Sequence, residues 1–203
     1  AIHDYTAALA LEPTSVHYLL SRADTLESQG KYDAALADFD QAAQYEPNNV
    51  RLRTLRGNLY VNIGEVEKAS KDLAYVEART PKNPRFLLIM GRLYERKGEW
   101  DRAIAYFTRA IQVEPTSPYA WHNRGVLRKD RGEIDGAISD FSRAIELDER
   151  FLKAWKGRAV AKNESGNGKG AIADLSRAIQ IAPQSWDVRY ERGILRQQAR
   201  DFE

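Results

Sequence analysis

Residues 118–151, PYAWHNRGVLRKDRGEIDGAISDFSRAIELDERF, decide the fold, because most of the remaining chain is a variation on them. A shift of the sequence by 34 residues aligns a series of prolines that only Glu149 interrupts: Pro13, Pro47, Pro81, Pro115 and Pro183. An internal period of this length is typical of proteins built from stacked repeats. We therefore expect one elongated array rather than several domains with separate cores.

The proline series divides the chain into repeat units, in which the proline holds place 32 of 34. A partial unit stands at each end, at 1–15 and 186–203. Between them lie five complete units, at 16–49, 50–83, 84–117, 118–151 and 152–185.

Two groups of places recur at the spacing of a helix face. Places 4, 8 and 11 share one face, and places 20, 24 and 27 share another. Place 20 is always alanine, place 24 is large and apolar, and place 8 is small. Place 15 is glycine in every complete unit, and such a glycine commonly ends a helix in the left-handed conformation. Each unit is therefore predicted to form two packed helices, over about places 1–14 and 18–31.

The pattern resembles the tetratricopeptide repeat (TPR), whose signature combines W-x2-L-G-x2-Y, A-x3-F and P. The third unit carries Gly91, Tyr94, Ala103, Phe107 and Pro115 of that signature, and the fourth carries Trp121, Gly125, Ala137 and Phe141. The resemblance implies an all-α fold, a right-handed α-solenoid of stacked antiparallel helix pairs. It also implies a non-enzymatic scaffold for protein–protein interaction.

Places 7 and 23 change together along the chain. Place 7 is arginine and place 23 is aspartate in four complete units, whereas the third unit has Met90 and Tyr106. Losing both members of an ion pair can be neutral, whereas losing one leaves a charge uncompensated. We predict that the arginine pairs with the aspartate of the same unit; the alternative is a chance difference at two variable places.

Composition narrows the classes of function. Lys and Arg total 31, Asp and Glu total 29, and the net charge of +2 is too balanced to argue by itself for nucleic acid or a membrane surface as the partner. No apolar run approaches the ~18 residues of a membrane-spanning helix. The absence of cysteine excludes disulfides and thiol chemistry, and it leaves the compartment open.

No catalytic, metal or cofactor site is expected from the motifs. The three histidines, His3, His17 and His122, stand in unrelated phases without metal-ligand spacing. Gly166, Gly168 and Ala171 match the loose dinucleotide pattern G-x-G-x-x-A, but they lie between two predicted helices with no strand before them.

The face of each first helix opposite its packing face is the candidate binding surface, which we call the inner face (places 2, 5, 6, 9, 12 and 13). The TPR resemblance implies that it lines a concave ligand groove. Its central residues are mostly cationic, with carboxylates towards the ends. The predicted groove residues are Arg51, Asn58, Arg85, Arg92, Tyr119, His122, Asn123, Lys153 and Lys156. They favour a peptide with acidic side chains or a free C-terminal carboxylate; the alternative is a face charged only for solubility.

Other functions and partners follow from the same observations. The array could be the substrate-recognition arm of a larger enzyme whose catalytic domain lies outside these residues. RNA binding is disfavoured, because base-reading repeat arrays usually have other periods. The sequence starts within a second helix and stops after a first helix, so we expect a longer array or ends that dock on something, for example head-to-tail stacking of copies.

Overall fold

The computed structural model describes residues 1–200, the last two by their backbone alone, and its regular structure there is entirely α-helical. The helices group into two compact units, which divide along the chain between Glu99 and Trp100. The first unit contains α1 (Ile2–Leu11), α2 (Val16–Ser28), α3 (Tyr32–Tyr45), α4 (Val50–Ile63), α5 (Val66–Glu77) and α6 (Pro84–Arg96). The second contains α7 (Trp100–Val113), α8 (Pro118–Asp130), α9 (Ile134–Leu147), α10 (Leu152–Glu164), α11 (Gly168–Ile181) and α12 (Trp186–Arg200).

The two helices predicted for each repeat are confirmed. In the fourth repeat, α8 covers places 1–13 and α9 covers places 17–30. The first and second helices of one repeat pack along each other, as α2 does with α3, α4 with α5, α8 with α9 and α10 with α11. None of the helices in the described residues is long and apolar enough to cross a membrane.

Glycine at place 15 ends the first helix in the way that the sequence predicts. Gly132 has a φ of 80°, in the left-handed region, and the corresponding glycines of the other complete repeats lie between 73° and 85°. The Glu133 amide then donates to the Arg128 carbonyl oxygen at 2.8 Å, which satisfies one carbonyl at the helix end. The chain reverses there and begins the second helix.

Phe141, at place 24, shows how neighbouring repeats pack. Its ring is fully buried between the first helix of its own repeat and that of the next. A Cβ atom would lie 3.0 Å from the ring at Gly125 and only 2.7 Å from it at Gly157. The two glycines therefore let a large aromatic side chain fill the space between α8 and α10.

The Gly157→Ala substitution should destabilise the protein, because the added methyl group overlaps the Phe141 ring. Overpacking of this kind typically costs about 1–3 kcal/mol. The matched control is Gly193→Ala, where a Cβ meets no other atom within 4 Å, and where the better helix propensity of alanine should stabilise by about 0.5–1 kcal/mol. Urea unfolding of both variants measures the difference; equal free energies of unfolding would contradict the packing.

The predicted Arg–Asp pairing is confirmed in four repeats. In each pair, Nε and Nη2 of the arginine donate to the two carboxylate oxygens, with N···O distances from 2.6 to 3.0 Å. The pairs are Arg22–Asp38, Arg56–Asp72, Arg124–Asp140 and Arg158–Asp174. All four carboxylates are buried, so this two-pronged contact compensates charges that have lost their water.

The same arginines also reach back to the preceding repeat, which the sequence analysis did not foresee. Nη1 of Arg124 donates to the Thr108 hydroxyl at 3.1 Å, and Nη1 of Arg158 donates to the Ser142 hydroxyl at 3.0 Å. Both hydroxyls stand at place 25. In the repeat before Met90, place 25 is Ala74. The third repeat, which lacks the arginine and the aspartate, is thus also preceded by a repeat without a polar side chain at place 25.

A second cation supports most of the buried carboxylates. Arg128 Nη1 lies 2.9 Å from Asp140, and Lys162 Nζ lies 2.9 Å from Asp174. Both cations stand at place 11, where the earlier Tyr60 is aromatic. The change from tyrosine to a cation at this place therefore has a structural role, since it adds a second donor to a buried carboxylate.

The Asp140→Ala substitution should cost about 3–5 kcal/mol, because it leaves Arg124 and Arg128 beside each other without their carboxylate. Replacing Arg124 with Met, Arg128 with Tyr and Asp140 with Tyr copies the residues of the third repeat and removes every charge of the cluster. We expect this triple variant to unfold at higher urea concentration than Asp140→Ala. A triple variant that is no more stable than the single variant would show that the charges do not act as one group.

Candidate functional site

The structure divides the predicted groove residues between its two units. Those of the first unit lie on α4 and α6: Arg51, Asn58, Arg85 and Arg92. Those of the second unit lie on α8 and α10: Tyr119, His122, Asn123, Lys153 and Lys156. Within each unit, some of these side chains are held by neighbouring residues and others are exposed without a hydrogen bond or an ion pair among the described residues.

In the first unit, Glu27 organises a polar network across three helices. Its carboxylate accepts hydrogen bonds from the side-chain amides of Asn58 (3.2 Å) and Asn62 (2.7 Å). Arg92 in turn donates to the amide oxygens of Asn58, at 3.2 Å, and of Asn62. Burial raises the pKa of Glu27 and lowers that of Arg92. Asn58 and Arg92 therefore already have polar partners.

Arg51 and Arg85 differ from Arg92, because they line one pocket and form no ion pair within the described residues. Both side chains are exposed, and neither forms a hydrogen bond or an ion pair within residues 1–198. The pocket lies at the first turns of α4 and α6, which the side chains of Asn49 and Asn83 cap. The positive ends of two helix dipoles thus add to the charge of two guanidinium groups.

In the second unit, an aromatic cluster forms part of the inner face. Tyr119 is 59% exposed and meets the Phe151 ring edge to face, with ring centroids 5.1 Å apart. His122 contacts the same ring at 5.1 Å and the buried Phe141 at 5.6 Å. Tyr119 therefore keeps one side exposed, while His122 belongs to the packing beneath it.

His122 carries no charge at neutral pH. Burial, reinforced by the nearby Lys153 ammonium, lowers its pKa from 6.5 to about 4. Its Nδ1 atom is buried and has no hydrogen-bond partner among the described residues. Lys153 itself is exposed and unpaired within the described part of the chain. Asn123 is half-buried on α8.

Lys156 is already neutralised by two carboxylates of α12. Its Nζ atom donates to Asp187 and lies 3.5 Å from Glu191. The Lys156 contact, together with the Ser185 hydroxyl, lowers the pKa of Asp187 to about 2. The cation that the sequence analysis assigned to the groove is thus part of a contact between α10 and α12.

Glu27 and Asp187 are carboxylates at the ends of the inner face, and their side chains reach Asn58 and Lys156, which were predicted to lie at its centre. Neither contact was predicted from the sequence. A signal was present, since Lys156 and Asp187 have opposite charges and are 31 residues apart, on successive first helices. The same spacing separates Glu27 from Asn58.

No group of three histidine, aspartate or glutamate side chains in the described residues could hold a metal ion. The Gly166–Gly168 turn also has an ordinary structural explanation. The Asn167 side chain accepts a hydrogen bond from the Gly170 amide at 2.9 Å and caps the start of α11. That turn therefore starts a helix in the same way that asparagine caps start α4 and α6.

Three sequence models of the tetratricopeptide repeat match the chain, over residues 1–49, 26–93 and 90–154. The chain belongs to the tetratricopeptide repeat family. The resemblance drawn from the periodicity is thereby confirmed. TPR proteins are typically non-enzymatic scaffolds for protein–protein interaction. A search of curated proteins finds no match to this TPR chain.

Solved TPR structures confirm the fold class, an α-solenoid of stacked helix pairs. A thermophilic TPR protein of Thermus thermophilus, TTC0263, has a TM-score of 0.76 and 22% identity, over 89% of this chain and 98% of its own. YrrB, a TPR protein with an unusual peptide-binding site, has a TM-score of 0.64 and 21% identity, over 95% of this chain and 100% of its own. The APC/C hetero-tetramer Cut9–Hcn1 contains a chain with a TM-score of 0.86 and 17% identity, over 96% of this chain and 39% of that one.

The stability of the protein should depend on pH through His122. The folded state lowers its pKa from 6.5 to about 4, so the unfolded chain binds more protons between these values. The free energy of unfolding should therefore fall as the pH is lowered through this window. The variant His122→Leu introduces the residue that Leu20 and Leu88 provide at the same place of their repeats. In this variant the fall in the free energy of unfolding between the two pH values should be smaller by about 1–3 kcal/mol. Urea unfolding on either side of the window checks this, and an unchanged pH dependence in the variant would contradict it.

Proposed function

We propose that this TPR protein is an interaction scaffold whose inner face binds an acidic or C-terminal segment of a partner protein. The observation that supports the proposal is the pocket shared by Arg51 and Arg85, two exposed arginines without a carboxylate partner in the described residues. Arginine binds carboxylates through parallel hydrogen bonds. An acidic side chain or a free C-terminus supplies a group of that shape.

The lining of the pocket fits a peptide carboxylate. Thr54 and Thr80 contribute hydroxyl groups beside the two arginines, and Val50 and Leu55 contribute apolar surface. A charged segment can therefore place its carboxylate between the guanidinium groups and rest its apolar atoms on the floor. The helix starts at Asn49 and Asn83 add to the attraction, since helix N-termini favour anions.

Residues with internal partners contribute less to this function. For Arg92 or Lys156 to bind a ligand, it must first give up hydrogen bonds to Asn62 or Asp187. That exchange cancels much of the gain. We therefore assign them a structural role at the inner face and assign the binding role to cations without partners.

In the second unit, Lys153 and Tyr119 are the corresponding residues. Lys153 is exposed and unpaired in the described chain, and Tyr119 offers an exposed aromatic face. Tyrosine buries a large area on binding at a small loss of side-chain entropy. The pair favours a partner segment in which an acidic residue stands near an apolar one. The peptide-binding relative YrrB is consistent with this role.

The test is the binding of fluorescent acidic peptides, each made with a free and with an amidated C-terminus, followed by fluorescence polarisation. The double variant Arg51→Glu/Arg85→Glu should weaken binding by roughly tenfold or more, because a hydrogen bond to a charged group contributes ~1.5–3 kcal/mol. Adding salt should weaken the binding of the unmodified protein as well.

The matched control is Lys31→Glu/Lys71→Glu, which makes the same change in net charge at exposed residues outside the pocket. It should bind the acidic peptides as the unmodified protein does, apart from a small long-range effect. Equal losses in the two double variants, or equal binding of acidic and neutral peptides, would refute the proposal.

A further inference from the structure

An apolar cavity of about 210 Å³ opens on the inner face of the second unit, between α10 and α12. Its lining includes the buried Leu175 of α11 and two exposed aliphatic side chains, Val160 of α10 and Ile194 of α12. Both exposed residues stand at place 9, where the first helices of the first unit that precede them carry polar residues. The second unit thus has an apolar opening, which we call the α10–α12 cavity, where the first unit is polar.

The α12 side of this cavity consists of residues at places 6, 9 and 10, which face the preceding repeat. In α10, places 6 and 10 hold Gly157 and Ala161, and both pack against Phe141 of the repeat before them. Leu195, at place 10 of α12, likewise packs on the buried cluster that contains Leu175. The cavity is therefore enclosed by α10, α11 and α12 themselves.

The cavity is open because neither of the two side chains that could fill it does so. Between α8 and α10, the Phe141 ring at place 24 fills the corresponding space and lies against Gly157 at place 6. Between α10 and α12, place 24 is the shorter Leu175, and Glu191 at place 6 is directed to Lys156, 3.5 Å away. The space that an aromatic ring of the chain occupies in one repeat is thus left for another group in the next.

The rim of the cavity is negatively charged. Glu164 lines it, is exposed and forms no hydrogen bond or ion pair within the described residues. Glu191, on the opposite side, is 39% exposed although it contacts Lys156. Glu164 is also the last residue of α10, and the C-terminal end of a helix favours a cation. A ligand that carries a positive charge beside its apolar group therefore complements this rim.

We propose that the α10–α12 cavity is a second binding site on the inner face, which takes an aromatic side chain of a partner protein next to a lysine or arginine. The ring enters between Val160 and Ile194 and rests on Leu175, as the Phe141 ring does in the preceding gap. The neighbouring cation binds Glu164. Shape and charge support this occupant independently.

The inference rests on the proposed function only in that a partner segment lies on the inner face. The pocket at Arg51 and Arg85 selects an anion, whereas the α10–α12 cavity selects an aromatic group beside a cation. The two sites lie in different units and involve no residue in common. A failure of one can therefore be distinguished from a failure of the other.

The probe is an N-acetylated, C-terminally amidated peptide of sequence Gly-Ser-Phe-Arg-Gly-Ser, which carries no carboxylate. In proton–nitrogen NMR correlation spectra it should shift the amide signals of Val160, Asn163 and Ile194, residues that line the cavity. Replacing its phenylalanine with alanine should weaken binding roughly tenfold or more, because the burial of an aromatic side chain is lost. The absence of these shifts at ~1 mM peptide, where even a millimolar dissociation constant gives measurable binding, would overturn the proposal.

Two further ligands test the assigned chemistry. A peptide with glutamate in place of arginine should bind more weakly, because it meets the rim with a like charge. Phenethylamine, a free aromatic amine, should also bind more weakly than the peptide. Tighter binding of the glutamate peptide would refute the charge assignment, and equal binding of phenethylamine would assign the cavity to a small molecule instead of a partner segment.

The Leu175→Phe variant fills the cavity from within. It copies Phe39, which packs in one cluster with the alanine at place 8 of its repeat, as Leu175 packs with Ala159. The variant should therefore stay folded, which urea unfolding checks, and should no longer bind the phenylalanine–arginine peptide. A folded variant that binds this peptide as the unmodified chain does would overturn the proposal.

The Glu164→Lys variant tests the rim without a change in the core. It should weaken binding of the phenylalanine–arginine peptide roughly threefold or more. The matched control is Glu114→Lys, which makes the same change in charge at an exposed residue outside the cavity. The double variant Arg51→Glu/Arg85→Glu should still bind this peptide. Equal binding by the Glu164 and Glu114 variants, or loss of binding in the double variant, would place the contact elsewhere and refute the proposal.

Discussion

The structure depends on a buried carboxylate at place 23 that the arginine at place 7 of the same repeat holds by two hydrogen bonds. A carboxylate without water needs such donors, and the flat guanidinium group supplies two of them in a fixed direction. The contact joins residues 16 positions apart, one on each helix of a pair. It therefore fixes how the second helix lies along the first. The third donor of the same group, to place 25 of the preceding repeat, extends this control to the neighbouring repeat.

The third repeat carries other residues at these places, Met90 and Tyr106. Its first helix, α6, buries Phe86, Leu87, Ile89, Met90 and Leu93, and the preceding repeat has Ala74 where others have a polar group. Desolvating an ion pair costs free energy that its attraction only partly returns, so replacing the whole group with apolar residues need not destabilise. The 34-residue period is thus kept in a repeat in which these places have all changed together.

Several cations of the inner face already have partners within the protein, so fewer of them are unpaired than their number in the sequence indicates. Glu27 holds a network that includes Arg92, and Asp187 and Glu191 engage Lys156. His122 is neutral at physiological pH because of its burial. What remains for a partner is the pocket at the start of α4 and α6 and the exposed Lys153. Internal pairing of this kind separates cations that shape the surface from cations that can bind to it.

The fold could be predicted from the sequence almost completely, because its determinants lie within one repeat. The helix spacing and the turn at Gly132 depend on local backbone geometry. The joint change of places 7 and 23 involves residues that are always the same distance apart in the chain. The candidate site was predicted less well. Its residues stay a prediction, and the partners of Asn58, Arg92 and Lys156 were not foreseen, since side chains of neighbouring first helices meet only after the repeats have stacked.

The sequence by itself therefore determined the repeat, its two helices, the turn between them and the ion pair that joins them. The reason is that a strict period leaves few other ways to bury the small residues and the large apolar residues that recur at fixed places. Only the tertiary structure decided which inner-face groups are occupied. The distance between Lys156 and Asp187, or between Glu27 and Asn62, depends on how far apart successive first helices lie and on the reach of flexible side chains. The tertiary structure also showed that His122 is half-buried with its Nδ1 atom covered, because the Phe141 and Phe151 rings that contact it come from outside its own helix.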